Sequence, residues 1–368
     1  MKNLKIFVDC HVFDGSPQGT TSYIKGLYQE LIKDQTKTFY FASYTGNLES
    51  IFGKNNNVHY LQYSSKSKYL RLLFDIPGLI KKNNIDYAHF QYIVPPIKKC
   101  KYIVTIHDVL FLDFPSYFPL AYKISKKILF KWSAKKADIV LTVSEYSKNR
   151  IQDHFKIENI EVTPNAVEAV FFEEYDKKAV MEANKVNYGL ASYFLYLSRW
   201  EKRKNHLLLL KVFVENKFHE QFHLVFVGDN LITNTTYKRY FKTLPNEIKD
   251  KIVILNKVNF DELLNLIRGA SLSIYPSIAE GFGIPPLETA AAQIPTICSN
   301  TTAMSDFDFF QNNLFNPFDE KDLKDKIIAG LNPQNFYSIS KAIKDKYNWK
   351  IAASVLFKAI NDNQNHSI

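Results

Sequence analysis

Two glutamates, Glu280 and Glu288, stand eight positions apart in SIAEGFGIPPLETAAAQIPTICSN, residues 277–300, with Gly281, Gly283 and the pair Pro285–Pro286 between them. Proline is excluded from a helix interior but suits its first turn. LETAAAQ continues with good helix formers, so the spacing predicts Glu288 in the opening turns of a helix and Glu280 in the loop before it. The carboxylates therefore do not share one helical face, which argues for two separate tasks rather than a coupled acid pair. A carboxylate at a helix start can accept paired hydrogen bonds from the hydroxyls of a ribose, and one in the preceding loop can accept from a sugar ring. Glycines at 281 and 283 let backbone approach a ligand closely. The competing reading is that Glu288 completes a helix cap and Glu280 is a solvated loop residue.

His107 and Asp108 follow the apolar run YIVTI. They stand where a buried strand ends, which is the edge that faces ligands in parallel sheets. A lone histidine in such a place is more often structural.

The elements that must position these residues are short β-branched or aromatic runs, each followed by an amphipathic stretch. LKIFVD precedes TSYIKGLYQELI, YIVTIHD precedes LAYKISKKILFKWSAKKA, and DIVLTVS precedes EYSKNRIQDHF. After a break, YFLYLSR, FHLVFVG, KIVIL, LSIYPS and PTICS alternate with helical periods. Strands without strict alternation, separated by helices, indicate parallel sheets covered on both faces. Two such sets imply two doubly wound α/β domains. We expect residues 1–165 as one Rossmann-like domain, 166–347 as a second facing it across a cleft, and 348–368 as a helix crossing back onto the first. A linker is expected over 163–190.

A chain of 368 residues with 46% apolar and 15% aromatic content is a folded protein, and too long for one ordinary core. Its formal charge of +10 is unevenly placed, because residues 1–165 carry a net +9. Such a half faces a polyanion: nucleic acid, an anionic membrane surface or a phosphorylated substrate. A Lys-rich genome would also raise the count. Cys10, Cys100 and Cys298 are widely spaced in apolar, strand-like contexts, which reads as buried thiols in a cytosolic protein and not as a disulfide frame or zinc site. The opening apolar run meets Asp9 too early for a signal peptide. No apolar run approaches the roughly 18 residues needed to cross a bilayer, so any membrane contact is expected to be peripheral.

The segment PSIAEGFGIPPLETAAAQIPTICSN resembles the E-x7-E segment of the retaining glycosyltransferases of family 4, which have the two-Rossmann GT-B architecture. YLSRWEKRKNHLLLL is similar to the family's phosphate-binding segment, VTPNAVE to its hinge, TVSEYSKNRI to its Ser-Glu helix start, TIHDVLF to its active-site His-Asp, and DGSPQGTTSYIKGLYQEL to its first glycine loop and helix. The resemblance spans about residues 5 to 350. Two departures are Gln18 before Gly19, where the family often has Gly-Gly, and Ser198 before Arg199, where it often has Gly.

The resemblance implies that Arg199 and Lys204 grip the diphosphate of a nucleotide-sugar donor, with Gly19 approaching it from the first domain. It implies that Glu280, Gly281, Phe282, Gly283 and Ile284 hold the transferred sugar, Glu288 the ribose and Val258 the base. His107 and Glu280 are the implied catalytic residues. No metal is implied, and the sequence has no Asp-x-Asp of the metal-using alternative glycosyltransferase fold. The look of IHDVLFLDFPSYFP is similar to mannosyltransferase-like members, so GDP-mannose is the first donor expected and a UDP-sugar the next.

On the acceptor side, residues 120–138 space Lys123, Lys126, Lys127, Lys131, Lys135 and Lys136 among Ile124, Ile128, Leu129 and Trp132, and SKSKYLRLLF at 65–74 repeats the theme. A basic amphipathic helix can lie on anionic lipid, and an ordinary Rossmann helix with a solvated Lys face is the plainer reading. We expect peripheral placement at the cytoplasmic face of the inner membrane and a glycan or polyprenyl-diphosphate-linked acceptor, as in O-antigen or capsule synthesis. The rivals are a GT-B synthase or phosphorylase with a soluble sugar or phosphate acceptor, and a basic nucleic-acid-binding protein. No zinc-finger, RRM or KH pattern supports the latter, and nucleic acid is not expected as a partner. A nicotinamide dehydrogenase is disfavoured because the first strand leads to DCHVFDGSPQG, without G-x-G-x-x-G.

Overall fold

The computed structural model describes residues 3–15, 18–229, 235–332 and 335–365. The chain divides into two compact units: residues 1–166 with 348–368, and residues 167–347.

The first unit is built on β1 (Leu4–Asp9), β2 (Lys37–Ser43), β3 (Val58–Gln62), β4 (Tyr87–Gln91), β5 (Lys101–Thr105), β6 (Ile139–Thr142) and β7 (Glu161–Val162). They form one sheet in the order β3-β2-β1-β4-β5-β6-β7, every pair parallel. The near-continuous apolar runs in β1, β2, β5 and β6 follow from this, because a parallel sheet is covered on both faces. Its helices include α1 (Gly19–Leu31), α2 (Leu120–Lys136) and α3 (Glu145–Phe155), the last capped by Ser144, whose Oγ accepts from the Ser147 amide at 3.1 Å.

The second unit repeats the plan with β8 (Tyr193–Leu197), β9 (His223–Val227), β10 (Ile252–Leu255), β11 (Leu272–Tyr275), β12 (Thr296–Ser299) and β13 (Leu314–Phe315). The order is β10-β9-β8-β11-β12-β13, again parallel throughout. Helices α4 (His206–Glu215), α5 (Phe260–Arg268) and α6 (Ile284–Ala291) follow β8, β10 and β11. In both sheets the connections reverse direction once, between β1 and β4 and between β8 and β11. At such a reversal the strand-end loops part, and a crevice opens at the carboxyl edge.

The expected linker over 163–190 is mostly structure. Lys177–Tyr188 is a helix, capped by Asp176 accepting from the Lys178 and Ala179 amides at 2.9 and 3.2 Å and ended by Gly189 at φ +69°. The Glu-rich composition hid this helix because its buried contribution is small, Val180 and Asn184.

The C-terminal helix, Trp349–Asn365, belongs to the first unit. Tyr87 Oη donates to Asn363 Oδ1 at 2.9 Å and Lys101 Nζ to the Asn363 carbonyl at 3.1 Å. Trp349 packs on α1 at Gly26, where an added Cβ would stand 2.0 Å from the indole. Alanine is the better helix former by about 1 kcal/mol, yet this overlap sets the sign. We expect Gly26→Ala to destabilise the first unit by about 1–3 kcal/mol, as overpacking does, read from urea unfolding.

Candidate functional site

In the second unit the residues singled out by sequence gather at the reversal between β8 and β11. The loop after β11 is pinned: Ser299 Oγ donates to the Ser277 carbonyl at 2.6 Å, Thr301 Oγ1 to the Ile278 carbonyl at 2.9 Å, and the Glu280 amide to Thr302 Oγ1 at 2.9 Å. The turn Lys202–Lys204 after β8 is tied to that loop by the Ile278 amide donating to the Arg203 carbonyl at 2.7 Å.

Across this join the Glu280 carboxylate meets two cations. Lys204 Nζ lies 2.5 Å from Oε1 and Arg203 Nη1 lies 3.1 Å from Oε2, and all three side chains are largely buried. Arg203 also donates from Nη1 to the Ala279 carbonyl at 2.5 Å and from Nε to Glu201 at 2.8 Å. Burial alone would raise the Glu280 carboxyl, but Lys204 and Arg203 beside it prevail and bring it down to about 2. Burial draws Lys204 below the ordinary lysine value, with Glu280 pulling the other way.

Glu288 has the opposite surroundings. It lies in the second turn of α6, partly buried, and its carboxylate has no hydrogen bond or ion pair among the described residues. Burial, and then the charge of Glu168, push its carboxyl up to about 7. Helix capping is not its task, because α6 begins at Gly283 with no side-chain cap. Gly283 has φ +99°, and a Cβ there would stand 2.9 Å from Met304 Cγ, so glycine is required twice over.

The other expected residues divide. Arg199 is 60% exposed on its side chain and pairs with Glu201 at 3.1 Å. Ile284 opens α6 at the same edge, partly buried, and Gly281 lies in the pinned loop beside Glu280. The Phe282 ring is packing rather than lining, set against Phe307 and Tyr347 at 6.0 and 5.5 Å between centroids. Only its backbone is left to face a ligand. Val258 is partly buried in the turn between β10 and α5, at the same carboxyl edge but two strands away from β8. Ser198, where the resembling family has glycine, is accommodated because the close approach falls on Gly228, whose added Cβ would stand 2.1 Å from the Ser198 carbonyl oxygen.

In the first unit His107 is buried just beyond β5 and gives Nε2–H to Gln91 Oε1 at 2.6 Å, with Gln91 ending β4. The polar chain continues inward: His89 Nε2 lies 2.7 Å from Thr105 Oγ1 and His89 Nδ1 2.7 Å from Tyr28 Oη. Burial pushes His107 down to about 3, and burial with His107 nearby does the same to His89. His107 is thus a neutral imidazole at ordinary pH, held edge-on by Tyr23 at 5.0 Å. Gly19 opens α1, an added Cβ there meets nothing within 4 Å, and the Gly19 and Thr20 amides make no hydrogen bond among the described residues. No group of three His, Cys, Asp or Glu among the described residues is placed to hold a metal ion.

Two family models match the chain side by side: Glycosyltransferase Family 4 over residues 17–170 and Glycosyl transferases group 1 over residues 181–345. The chain belongs to the family 4 glycosyltransferases. It is similar to the O-antigen chain mannosyltransferase RfbU of Salmonella typhimurium, 31% identical over 224 residues, which is 59% of this chain and 57% of that protein's length. O-antigen chain mannosyltransferase B of Escherichia coli is 23% identical over 341 residues, 84% of each chain. Among solved structures, the sucrose-phosphate synthase of Thermosynechococcus elongatus superposes with a TM-score of 0.76 at 14% identity, over 98% of this chain and 99% of that one. The architecture is GT-B.

For this family 4 glycosyltransferase, sequence reasoning missed Arg203, Glu201, Thr302 and Gln91. Three adjacent cations in KRK gave no way to tell which turn inward, and only the short helical turn at 202–204 sets Lys202 outward and the other two inward. Gln91 carried a usable signal, as a polar residue ending the apolar strand YAHFQ.

The two carboxylates give predictions of opposite sign. Glu280 has a folded pKa of about 2 against an ordinary 4.5, so its contribution to stability is present above pH 4.5 and is lost as pH falls toward 2. Glu280→Ala leaves two cations without their carboxylate and should cost about 3–5 kcal/mol at pH 7, a gap that urea unfolding should find closing between pH 4.5 and 2.5. Glu288 is raised from 4.5 to about 7, so its ionisation opposes folding above pH 4.5, fully so above pH 7. Glu288→Gln should raise the melting temperature at pH 8 and leave it unchanged at pH 4, and equal melting temperatures at pH 8 would count against the assignment.

Proposed function

We propose that this chain is a retaining, metal-independent hexosyltransferase that moves a hexose, mannose first, from a nucleotide-diphosphate sugar to a lipid-linked or growing surface glycan. The single observation that carries the reading is the pair of carboxylates at the β8/β11 reversal, one fixed as an anion between Lys204 and Arg203 and the other, Glu288, without a partner among the described residues. Its likeness to two O-antigen mannosyltransferases supports the choice of mannose and GDP.

Loss of a nucleoside diphosphate builds negative charge on the leaving phosphate, and preorganised cations aimed there do the electrostatic work. Lys204 has three N–H donors and gives one to Glu280, so two remain for diphosphate oxygens. Among the described residues the Arg199 guanidinium is held by one ion pair, with Glu201, of an exposed kind worth about 0–1 kcal/mol, and can exchange it for phosphate at little cost. With these cations in place the leaving group needs no metal ion.

Glu280 is too stabilised as an anion to serve as a proton donor or shuttle. Two ion pairs leave lone pairs on its oxygens, which accept from sugar hydroxyls and orient the ring. Glu288 accepts the ribose hydroxyls, and those bonds favour its charged form. Neutral His107, with Nε2–H committed to Gln91, keeps Nδ1 as an acceptor for a hydroxyl. Same-face attack, with the leaving phosphate taking the acceptor's proton, preserves the anomeric configuration. The open amides of Gly19 and Thr20, at a helix start, suit an anionic ligand.

The acceptor is placed at the cytoplasmic membrane face by α2, whose exposed side carries Leu120, Ile124, Ile128 and Trp132 beside Lys127 and Lys135. No helix among the described residues is long and apolar enough to cross a membrane. The sucrose-phosphate synthase shares the fold and keeps a soluble-acceptor reading in view.

A thermal-shift panel of GDP, UDP, ADP and CMP conjugates should single out GDP-mannose. Its binding should release a proton near pH 7 through Glu288, seen by calorimetry in buffers of different ionisation enthalpy and absent in Glu288→Gln. Lys204→Ala should lower kcat by roughly 10²–10³, as loss of one charge-stabilising donor does. Sedimentation with anionic vesicles at low salt and release at high salt supports the lipid-linked acceptor. A chain that turns over soluble sugars and never pellets would favour the synthase reading, and one that binds no nucleotide sugar would sink both.

A further inference from the structure

Beyond the donor residues, the first unit holds a second set of charged side chains at the carboxyl end of β1. Asp9 closes that strand and is buried: Oδ1 accepts from Tyr63 Oη at 2.8 Å and from the His11 amide at 3.2 Å, and Oδ2 stands 3.0 Å from His11 Nδ1. Arg71 reaches the same oxygen only at 3.8 Å, beyond hydrogen-bond distance. Its side chain is 12% exposed, and its buried Nε has no hydrogen-bond partner.

Two lysines converge on this guanidinium. Lys68 stands one helical turn before Arg71, and Lys126 projects from α2 over the rings of Tyr122 and Phe130 at 5.5 and 5.4 Å. Burial, then the charges of Lys126 and Arg71, draw Lys68 below its ordinary value, and burial does the same to Lys126. Neither lysine has an ion pair among the described residues. Asp75, the one acid in the segment, is turned to Ser64, accepting from its amide at 3.0 Å and its Oγ at 2.7 Å. Arg71 also opens a π-turn, residues 71–75, a distortion frequent at functional sites.

We infer that Arg71, Lys68 and Lys126 form an anion site for a phosphate or diphosphate group, distinct from the donor cations of the second unit. Three cations near one another at a strand end, facing the single carboxylate of Asp9, would be stabilised by an added anion. The planar guanidinium with its open Nε–H suits phosphate oxygens. Exposed apolar side chains accompany the cations: Tyr69, Leu70 and Phe74 in the segment that carries Lys68 and Arg71, and Tyr122 one turn before Lys126 on α2. An anionic head joined to a hydrocarbon chain matches both parts, as in a polyprenyl diphosphate or an anionic phospholipid. Naming the carrier as the glycosyl acceptor rests on the proposed function, whereas the anion site does not.

The test uses the full chain carrying Lys204→Gln, which silences the donor cations, and titrates it with farnesyl diphosphate, with farnesol as the uncharged control. Phosphatidylglycerol vesicles are titrated in parallel against phosphatidylcholine vesicles. Lys68→Gln with Lys126→Gln, and separately Arg71→Gln, should weaken binding by roughly tenfold or more, the loss expected for bonds to a charged group. Arg71→Lys, which keeps the charge but not the fork, should fall between. A loss confined to farnesyl diphosphate assigns the site to the acceptor's diphosphate, and one confined to phosphatidylglycerol assigns it to a lipid headgroup. Lys68 is exposed and Lys126 only half-buried, so the double variant should stay close to the parent melting temperature even where Arg71→Gln does not. Unchanged binding of both probes by the folded double variant overturns the inference. Failure of the donor reading is separate: a chain that binds no nucleotide sugar yet shows these losses keeps the anion site and discards the acceptor.

Discussion

The carboxylate of Glu280, set between Lys204 and Arg203, is the constraint on which the arrangement of the second unit depends. It joins the turn after β8 to the loop after β11, the two loops that part at the sheet's reversal. A crevice there would otherwise have mobile walls, since strand-end loops have few apolar contacts of their own. The ion pairs are buried, so their net contribution to stability is small against a well-packed apolar alternative. Their value is in position: Arg203 gives its donors to Glu201, Glu280 and the Ala279 carbonyl, which leaves one rotamer for each partner.

That constraint also explains why two carboxylates eight residues apart behave differently. Glu280 sits with two cations and is an anion at any ordinary pH, whereas Glu288 sits with Glu168 and no cation and titrates near neutrality. Environments that push like groups apart in this way assign them different tasks. A fixed anion orients, and a carboxylate near its own pKa responds to what binds it. The first unit reaches a comparable division with histidines, where burial keeps His107 and His89 neutral and the chain through Gln91 and Thr105 fixes which nitrogen donates.

Much of this was legible in the sequence because the signals were local. Apolar runs without alternation gave the parallel sheets, and the Pro-Pro pair placed Glu288 inside a helix and Glu280 outside it. What stayed hidden depends on partners far away in the chain. Lys204 was named from the family resemblance, but Arg203 beside it was not, and only its contact with residue 280 sets it apart from Lys202. Phe282 looks like part of a ligand loop, yet its ring is taken by Phe307 and Tyr347, which no local pattern announces. The helix at 177–188 escaped notice for a different reason: few of its side chains are buried, so its apolar period is weak.

The uneven charge of the chain acquires a physical meaning when the partners are traced. In the second unit the cations at the strand ends are answered by Glu280 and Glu201, so the net charge there stays near zero while the local fields remain strong. In the first unit the cations at the end of β1 face a single buried carboxylate, Asp9, which already accepts from Tyr63, and the lysines of α2 lie beside exposed apolar side chains rather than beside acids. A general excess of lysine would scatter these charges over solvated surfaces, where each is screened within about 8 Å at physiological salt. Arg71, buried to 12% exposure, is shielded from that screening, and half-buried Lys126 is shielded in part. Repulsion among such charges is relieved by a bound anion, the role that the proposed site gives to part of the +9 of the first half.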